Sequence, residues 1–190
     1  MIKKIAIFAS GSGSNAENII THFKGNKDIE FPFILCNKKD AFVHERAKKL
    51  GVPSFTFCKQ ELEDGTILKK LQDNNIDFIV LAGFLLKMPD NIVEAYPRRI
   101  VNIHPALLPK YGGKGMYGLH VHEAVVAAHE KESGVTIHYV DNHYDHGNII
   151  LQGKCPVAPT DTPEQVQQNV HKLEYEYFPK AIEMALKNLD

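Results

Sequence analysis

An amide and an imidazole two residues apart, in Val101-Asn102-Ile103-His104-Pro105, are the first groups in this chain that could act on a carbonyl. On an extended strand, alternation sends Asn102 and His104 to one face and Val101 and Ile103 to the other. Such a pair can polarise a carbonyl and hold the oxyanion that forms when a nucleophile attacks, provided the site is dry. It can equally be hydrogen-bonded structure, and the residue types alone leave both readings open. Asp145, in Asp141-Asn142-His143-Tyr144-Asp145-His146-Gly147, could orient or charge His104, because a nearby carboxylate favours the imidazolium; it could also cap a turn with its own backbone.

Three further segments carry chemistry. Ser10-Gly11-Ser12-Gly13-Ser14-Asn15 lies between an apolar run and a helical pattern, a place where free backbone N–H groups, hydroxyls and a helix dipole meet an anion such as phosphate. Gly11, Gly13 and Ala16 also fit the G-x-G-x-x-G/A dinucleotide pattern, although the next strand ends in Cys36-Asn37-Lys38-Lys39 with no acid for ribose hydroxyls; a tight turn without ligand is the third reading. Glu174 stands four residues after Val170 and four before Phe178, which puts a carboxylate on the apolar stripe of a helix, where it needs a partner: a substrate amine or amide, a lysine, or backbone. Lys110 to Gly118 is a glycine-dense, basic segment that reads as a lid or a surface loop. His120, His122, His143 and His146 invite a metal reading, but His-x-His on a helix points to different faces and no cysteine joins them, so no metal is expected.

The elements that must position these groups alternate. Ile2 to Ala9 reads as a strand and the helix after it ends near Gly25; Phe31 to Cys36 is a second strand, Ala41 to Leu50 a helix closed by Gly51, and Val52 to Phe57 a third strand. A helix over Glu61 to Asn74, a doubly buried strand at Phe78 to Ala82, a short helix near Asn91 and a strand at Ile100 to Ile103 follow. Alternation of this kind predicts an α/β fold with a mostly parallel sheet, whose ligands bind beyond the carboxyl ends of the strands, at the loops after Ala9, Ala82 and Ile103. Gly134 to Val140 and Asn148 to Val157 have no helix between them and predict an antiparallel edge. Thr162-Pro163-Glu164 starts a long C-terminal helix that Pro179 should kink or interrupt.

Composition narrows the class. With 190 residues and a formal net charge of -1, the chain suits a single domain spanning 1–190 and lacks the broad positive field that nucleic-acid partners usually need. There is no apolar run of about 20 residues, so no membrane partner and a cytoplasmic location are expected. Cys36, Cys58 and Cys155 form neither a disulfide framework nor a zinc set.

Taken in order over nearly the whole chain, Ser10-Gly11-Ser12-Gly13-Ser14-Asn15, Leu81-Ala82-Gly83-Phe84, Asn102-Ile103-His104-Pro105-Ala106-Leu107-Leu108-Pro109 and Asp145-His146-Gly147 before Ile150-Leu151-Gln152 resemble the folate-dependent formyltransferases, most closely those acting on 5'-phosphoribosylglycinamide (GAR). The resemblance implies a Rossmann-like sheet with helices on both faces and direct formyl transfer from 10-formyltetrahydrofolate, as co-substrate and without metal, to the glycinamide amine in purine biosynthesis. It makes Asn102, His104 and Asp145 the catalytic trio, with Asp145 setting the charge of His104 and helping remove a proton through water. Ser12, Gly13, Ser14 and Asn15 would hold the phosphate of GAR, with His171 and Glu174 at its glycinamide end. Leu85, Leu86, Lys87 and Met88 would line the folate pocket with Asp141, Asn142, His143 and Tyr144. It further implies a monomer or homodimer and a cis Leu108–Pro109 bond. The chain departs from the pattern at Ala106, where serine is common, at His146, where glycine is frequent, in the length of the Gly112 to Gly118 loop, and in having no arginine for the folate tail near Gln60. Two relatives share the core motifs, methionyl-tRNA formyltransferase and formyltetrahydrofolate hydrolase; each carries a further domain, for which 190 residues leave no room.

Overall fold

The computed structural model describes residues 1–189 and divides the chain into two compact units, Met1–Val101 and Asn102–Asp190. In the first, β1 (Lys3–Ala9) runs into α1 (Ser14–His22), β2 (Ile29–Glu30), β3 (Ile34–Cys36), α2 (Val43–Leu50), β4 (Ser54–Thr56), α3 (Lys59–Glu63), α4 (Thr66–Asp73), β5 (Phe78–Leu81) and α5 (Asp90–Ala95). The strand β6 (Ile100–His104) begins in this unit and ends in the second, which continues with α6 (Leu119–Ala127), β7 (Glu132–Tyr139), β8 (Ile149–Pro156) and α7 (Pro163–Lys187).

In the first unit the strand order is β4-β3-β1-β5, all parallel, with Ile7 of β1 opposite Ile34 on one side and Val80 on the other; β2 pairs with the start of β1. Enclosure on both faces explains why β1, β3 and β5 read as unbroken apolar runs, and Ile5, Ile7, Phe8, Ile34, Leu35, Phe78 and Ile79 are fully buried. The helices bury one stripe each: Ala16 and Ile19 in α1, Val43 and Ala47 in α2, Ile67 and Leu71 in α4. In the second unit the order is β6-β7-β8, with β7 and β8 antiparallel. The expected α/β class, with a mostly parallel sheet and an antiparallel edge, is therefore observed. The Leu108–Pro109 bond is cis, as the resemblance implied.

Four element boundaries differ from the sequence-based expectation. Of the strand expected over Phe31 to Cys36 only Ile34–Cys36 pairs; a separate short strand, Ile29–Glu30, precedes the expected span, and between the two Pro32 has no N–H to give to a ladder. The strand expected over Val52 to Phe57 pairs only over Ser54–Thr56. The helix expected over Glu61 to Asn74 is α3 and α4, broken where Gly65 turns left-handed at φ 91° and the Asp64 carboxylate accepts the Thr66 N–H at 2.9 Å. Pro179 does not interrupt α7, which runs through it over 25 residues. The ring removes one bond to the Tyr175 carbonyl, while Phe178, Pro179, Ala181 and Ile182 stay buried around the gap. The N-terminus of α7 is as read: Thr162 accepts the Gln165 N–H and Gln165 reaches back to the Thr162 N–H.

Candidate active site

The first unit presents a glycine loop at the carboxyl end of β1. Val43 N–H donates to the Gly11 carbonyl at 3.1 Å and Arg46 Nε to the Ser12 carbonyl at 2.8 Å, which draws the loop onto α2. Gly13, the N-cap of α1, has φ 74°, and a Cβ there would meet Val43 Cγ2 at 2.4 Å, so only glycine fits. Gly13 has no side chain to cap α1; instead the Ser12 hydroxyl accepts the Ser14 N–H and donates to the Ser14 hydroxyl, both at 3.4 Å, so hydroxyls gather at the start of a helix. Ser10 ties this loop to the next one: its hydroxyl donates to Asn37 Oδ1 at 2.6 Å and accepts the Leu85 N–H at 3.0 Å, while Ser10 N–H bonds the Gly83 carbonyl. In the segment after β5, Leu85 and Lys87 are exposed, Leu86 is half-buried and Met88 is buried.

The second unit gathers Asn102, His104 and Asp145, whose side chains come from β6 and from the 141–147 loop that joins β7 to β8. His104 is buried, with 5% of its side chain exposed, and its Nδ1 lies 3.5 Å from Asp145 Oδ2. The other ring nitrogen, Nε2, is 2.7 Å from the Tyr111 carbonyl, which can only accept, so Nε2 carries the proton. Asp145 has φ 50°, a left-handed conformation that aspartate tolerates, and its Oδ2 also accepts the Gly113 N–H at 2.9 Å. The loop behind it is pinned at Gly147, where a Cβ would lie 1.8 Å from the Tyr139 carbonyl.

A fourth member, His138, was not singled out from the sequence. It is 2% exposed; its Nδ1 donates to the Tyr139 carbonyl at 2.8 Å, which leaves Nε2 to accept from Asn102 Nδ2 at 3.2 Å, and the same Nε2 lies 3.6 Å from Asp145 Oδ1. His138 thus fixes which way the Asn102 amide points. The strand alternation that pairs Asn102 with His104 also puts Thr136 and His138 on one face of β7, and that was the available signal. The extra residue in β8, between the pairs Ile137–Leu151 and His138–Ile149, bends the ribbon beside this histidine.

A buried polar network holds the turn after His104. Thr136 Oγ1 donates to the Ala106 carbonyl at 2.7 Å and accepts the Leu108 N–H at 3.1 Å, and Gln152, directly opposite Thr136, donates to Thr136 Oγ1 and the Leu108 carbonyl. At Ala106, the departure from the serine pattern, the side chain is fully buried and the hydroxyl serving the turn comes from Thr136.

Electrostatics differ from the simple expectation that Asp145 makes His104 an imidazolium. Burial pushes His104 below the ordinary imidazole value, and Asp145 and the Tyr111 carbonyl pull the other way without winning. Burial tends to raise Asp145, but the imidazoles of His138 and His104 and the Gly113 N–H outweigh it, so the carboxylate is held below its usual range. On α7, Glu174 is buried and 2.8 Å from His171 Nδ1; that hydrogen bond raises His171. His122, buried on α6, is pushed down to about 4 by burial, against the charge of Glu174. The four histidines do not form one set: His120 pairs with Glu123 at 3.1 Å on α6 and His122 is buried, while His143 and His146 are neighbours in the 141–147 loop, with ring centroids 5.4 Å apart.

An amide, a dry imidazole and a carboxylate converging at a strand end suit attack on a carbonyl. The formyl transferase family profile matches residues 3–182. The chain belongs to the formyl transferase family. Phosphoribosylglycinamide formyltransferase of Bacillus subtilis is 37% identical over 191 residues, covering 97% of this chain and 95% of its own. The chloroplastic protein of the same name from Arabidopsis thaliana is 40% identical over 187 residues, 95% of this chain and 64% of its own. This chain spans about three fifths of the length of such plant relatives. Among solved structures, phosphoribosylglycinamide formyltransferase from Bacillus halodurans superposes with a TM-score of 0.88 at 36% identity over 99% of this chain and 97% of that one. Among the described residues no helix is long and apolar enough to cross a membrane.

Proposed function

We propose that this member of the family transfers the formyl group of 10-formyltetrahydrofolate to the amine of GAR, giving formyl-GAR and tetrahydrofolate. The observation that carries the reading is the packing of Asn102, His104, His138 and Asp145 into one dry cluster. Its supports are the family, the relatives' names and a hydroxyl-lined helix start suited to a ribose phosphate.

In this reading the glycinamide nitrogen forms a bond to the formyl carbon, the bond from that carbon to folate N10 breaks, and one proton passes from the amine to N10. No enzyme-bound intermediate forms. Asn102, aimed by His138, and the Nε2–H of His104 hold the oxygen as its charge develops. The Tyr111 carbonyl occupies the Nε2–H in the ligand-free protein and gives way to the formyl oxygen. Asp145, ionised, relays the proton through water and stabilises positive charge gathering on His104. Ser12 to Asn15 take the phosphate, Glu174 with His171 meets the glycinamide end, and Leu85 to Met88 with Asp141 to Tyr144 contact the folate. The whole chain, 1–190, acts as one formyltransferase domain, as a monomer or homodimer in the cytoplasm.

The test is product analysis of purified protein with 10-formyltetrahydrofolate, with and without GAR. Formyl-GAR formed only when both are present is the expected result; free formate released without GAR would assign a hydrolase instead.

A further inference from the structure

The 141–147 loop holds a second cluster apart from Asn102, His104 and Asp145, two of whose members, Asp141 and His143, also belong to the segment proposed to contact the folate. Asp141, His143 and His146 each offer one atom, and the three atoms lie within 4.8 Å of one another. His146 Nδ1 is 3.0 Å from Asp141 Oδ2, and His143 Nδ1 is 3.8 Å from Asp141 Oδ1. Asp141 is itself oriented by the His143 N–H, which donates to its Oδ1 at 2.7 Å. The carboxylate of Asp145, two residues from His143, is turned away to His104 and Gly113 and takes no part.

From this convergence we infer that Asp141, His143 and His146 form a binding site for a divalent transition-metal ion of the zinc class. The two imidazole nitrogens are borderline ligands that favour zinc, cobalt or nickel over magnesium or calcium, and the carboxylate oxygen is a ligand zinc also accepts. Tetrahedral bonds of about 2.0–2.1 Å place ligand atoms about 3.3 Å apart, and the His146–Asp141 and His143–Asp141 separations of 3.0 and 3.8 Å lie on either side of that spacing. The histidine side chains are 77% and 74% exposed, so both rings can turn to close the set around an ion without disturbing a core. Ion pairing explains the convergence poorly, since exposed charged pairs gain little from each other in water. Three protein ligands leave the fourth position to water or an incoming anion. The grouping is not the one the sequence suggests: His120 and His122 belong to α6, and the third ligand is an aspartate.

Occupancy has a structural consequence. Asp145 lies in sequence between His143 and His146, so an ion bound to Asp141, His143 and His146 clamps the backbone that carries the proposed proton relay. The site itself stands whether or not the formyl-transfer reading does, because it is measured without turnover.

The experiment uses the full, tag-free chain after removal of metals with a chelator. Titration with Co2+ is expected to give the intense visible absorption of a low-symmetry tetrahedral site at one equivalent, Zn2+ is expected to displace it, and amide exchange over 141–147 is expected to slow when zinc is bound. His143→Ala/His146→Ala should weaken zinc binding by at least about tenfold, and His120→Ala should leave it unchanged. Zinc binding that survives His143→Ala/His146→Ala, as it would if exposed Cys58 were the ligand, or no stoichiometric binding at all, would overturn the proposal.

Discussion

Two histidine–carboxylate pairs in this chain behave in opposite ways. His104 and Asp145 sit 3.5 Å apart, the histidine buried and 11% of the aspartate side chain exposed; His171 and Glu174 sit 2.8 Å apart, with 46% of the His171 side chain exposed. Burial drives His104 down, whereas the hydrogen bond from Glu174 drives His171 up. A carboxylate neighbour therefore does not by itself make an imidazolium. Desolvation of the charged ring competes with it, and the competition turns on whether a short hydrogen bond is made and whether water reaches the ring. For the proposed reaction this leaves His104 a neutral donor at rest, ready to accept positive charge as the oxyanion grows.

The pairs can be separated by substitution. His104→Ala and Asp145→Asn are each expected to lower turnover by roughly a hundredfold or more, since they act on charge that develops in the transition state. Unfolding midpoints near wild type would confirm that the fold survives, and near-normal turnover in either would remove that residue from the mechanism.

His122 extends the comparison to a buried imidazole with no close carboxylate bond. Its folded-state value of about 4 lies below the unfolded value of about 6.5, so the stability tied to its neutral form is present above pH 6.5 and is lost as pH falls towards 4. The linkage is worth about 3 kcal/mol, and urea midpoints of wild type and His122→Gln should converge between those pH values. A wild-type loss matched by the variant would exclude His122 as the cause.

At the other pair, Glu174→Gln is expected to raise KM for GAR by about tenfold with little change in kcat, because the contact is made equally in ground and transition states. A fall in kcat alone would move Glu174 into the chemistry. The smallest effect belongs to His171. Its raised value gives stability that is full below about pH 6.5 and fades as pH rises through the folded-state value. Exposure holds the effect below about 1 kcal/mol, visible as a difference in urea midpoint between wild type and His171→Gln that shrinks on alkalinisation.

The alternation of apolar runs and glycine punctuation made the α/β class legible, and Thr162-Pro163 announced α7 correctly. Boundaries failed where one residue overrode a pattern: Pro32 cut a strand short and Gly65 split a helix. At the site, Asn102 and His104 could be paired by strand alternation, but Asp145 is 41 residues further along the chain than His104; its residue type left a partner of His104 and a turn cap both open, and the family resemblance chose the first. His138 escaped because a histidine in an apolar strand looks like core until its bond to Asn102 is seen. The direction of the His104 shift was illegible for a related reason: the sequence gives the carboxylate neighbour but not the depth of burial.

The most direct test is the titration of histidine ring signals by NMR, with His104 and His171 assigned through His104→Gln and His171→Gln. The account predicts that His104 titrates below the ordinary imidazole value of about 6.5 and His171 above it. His104 titrating above His171 would contradict it, and would mean that Asp145 rather than burial sets the charge of the site.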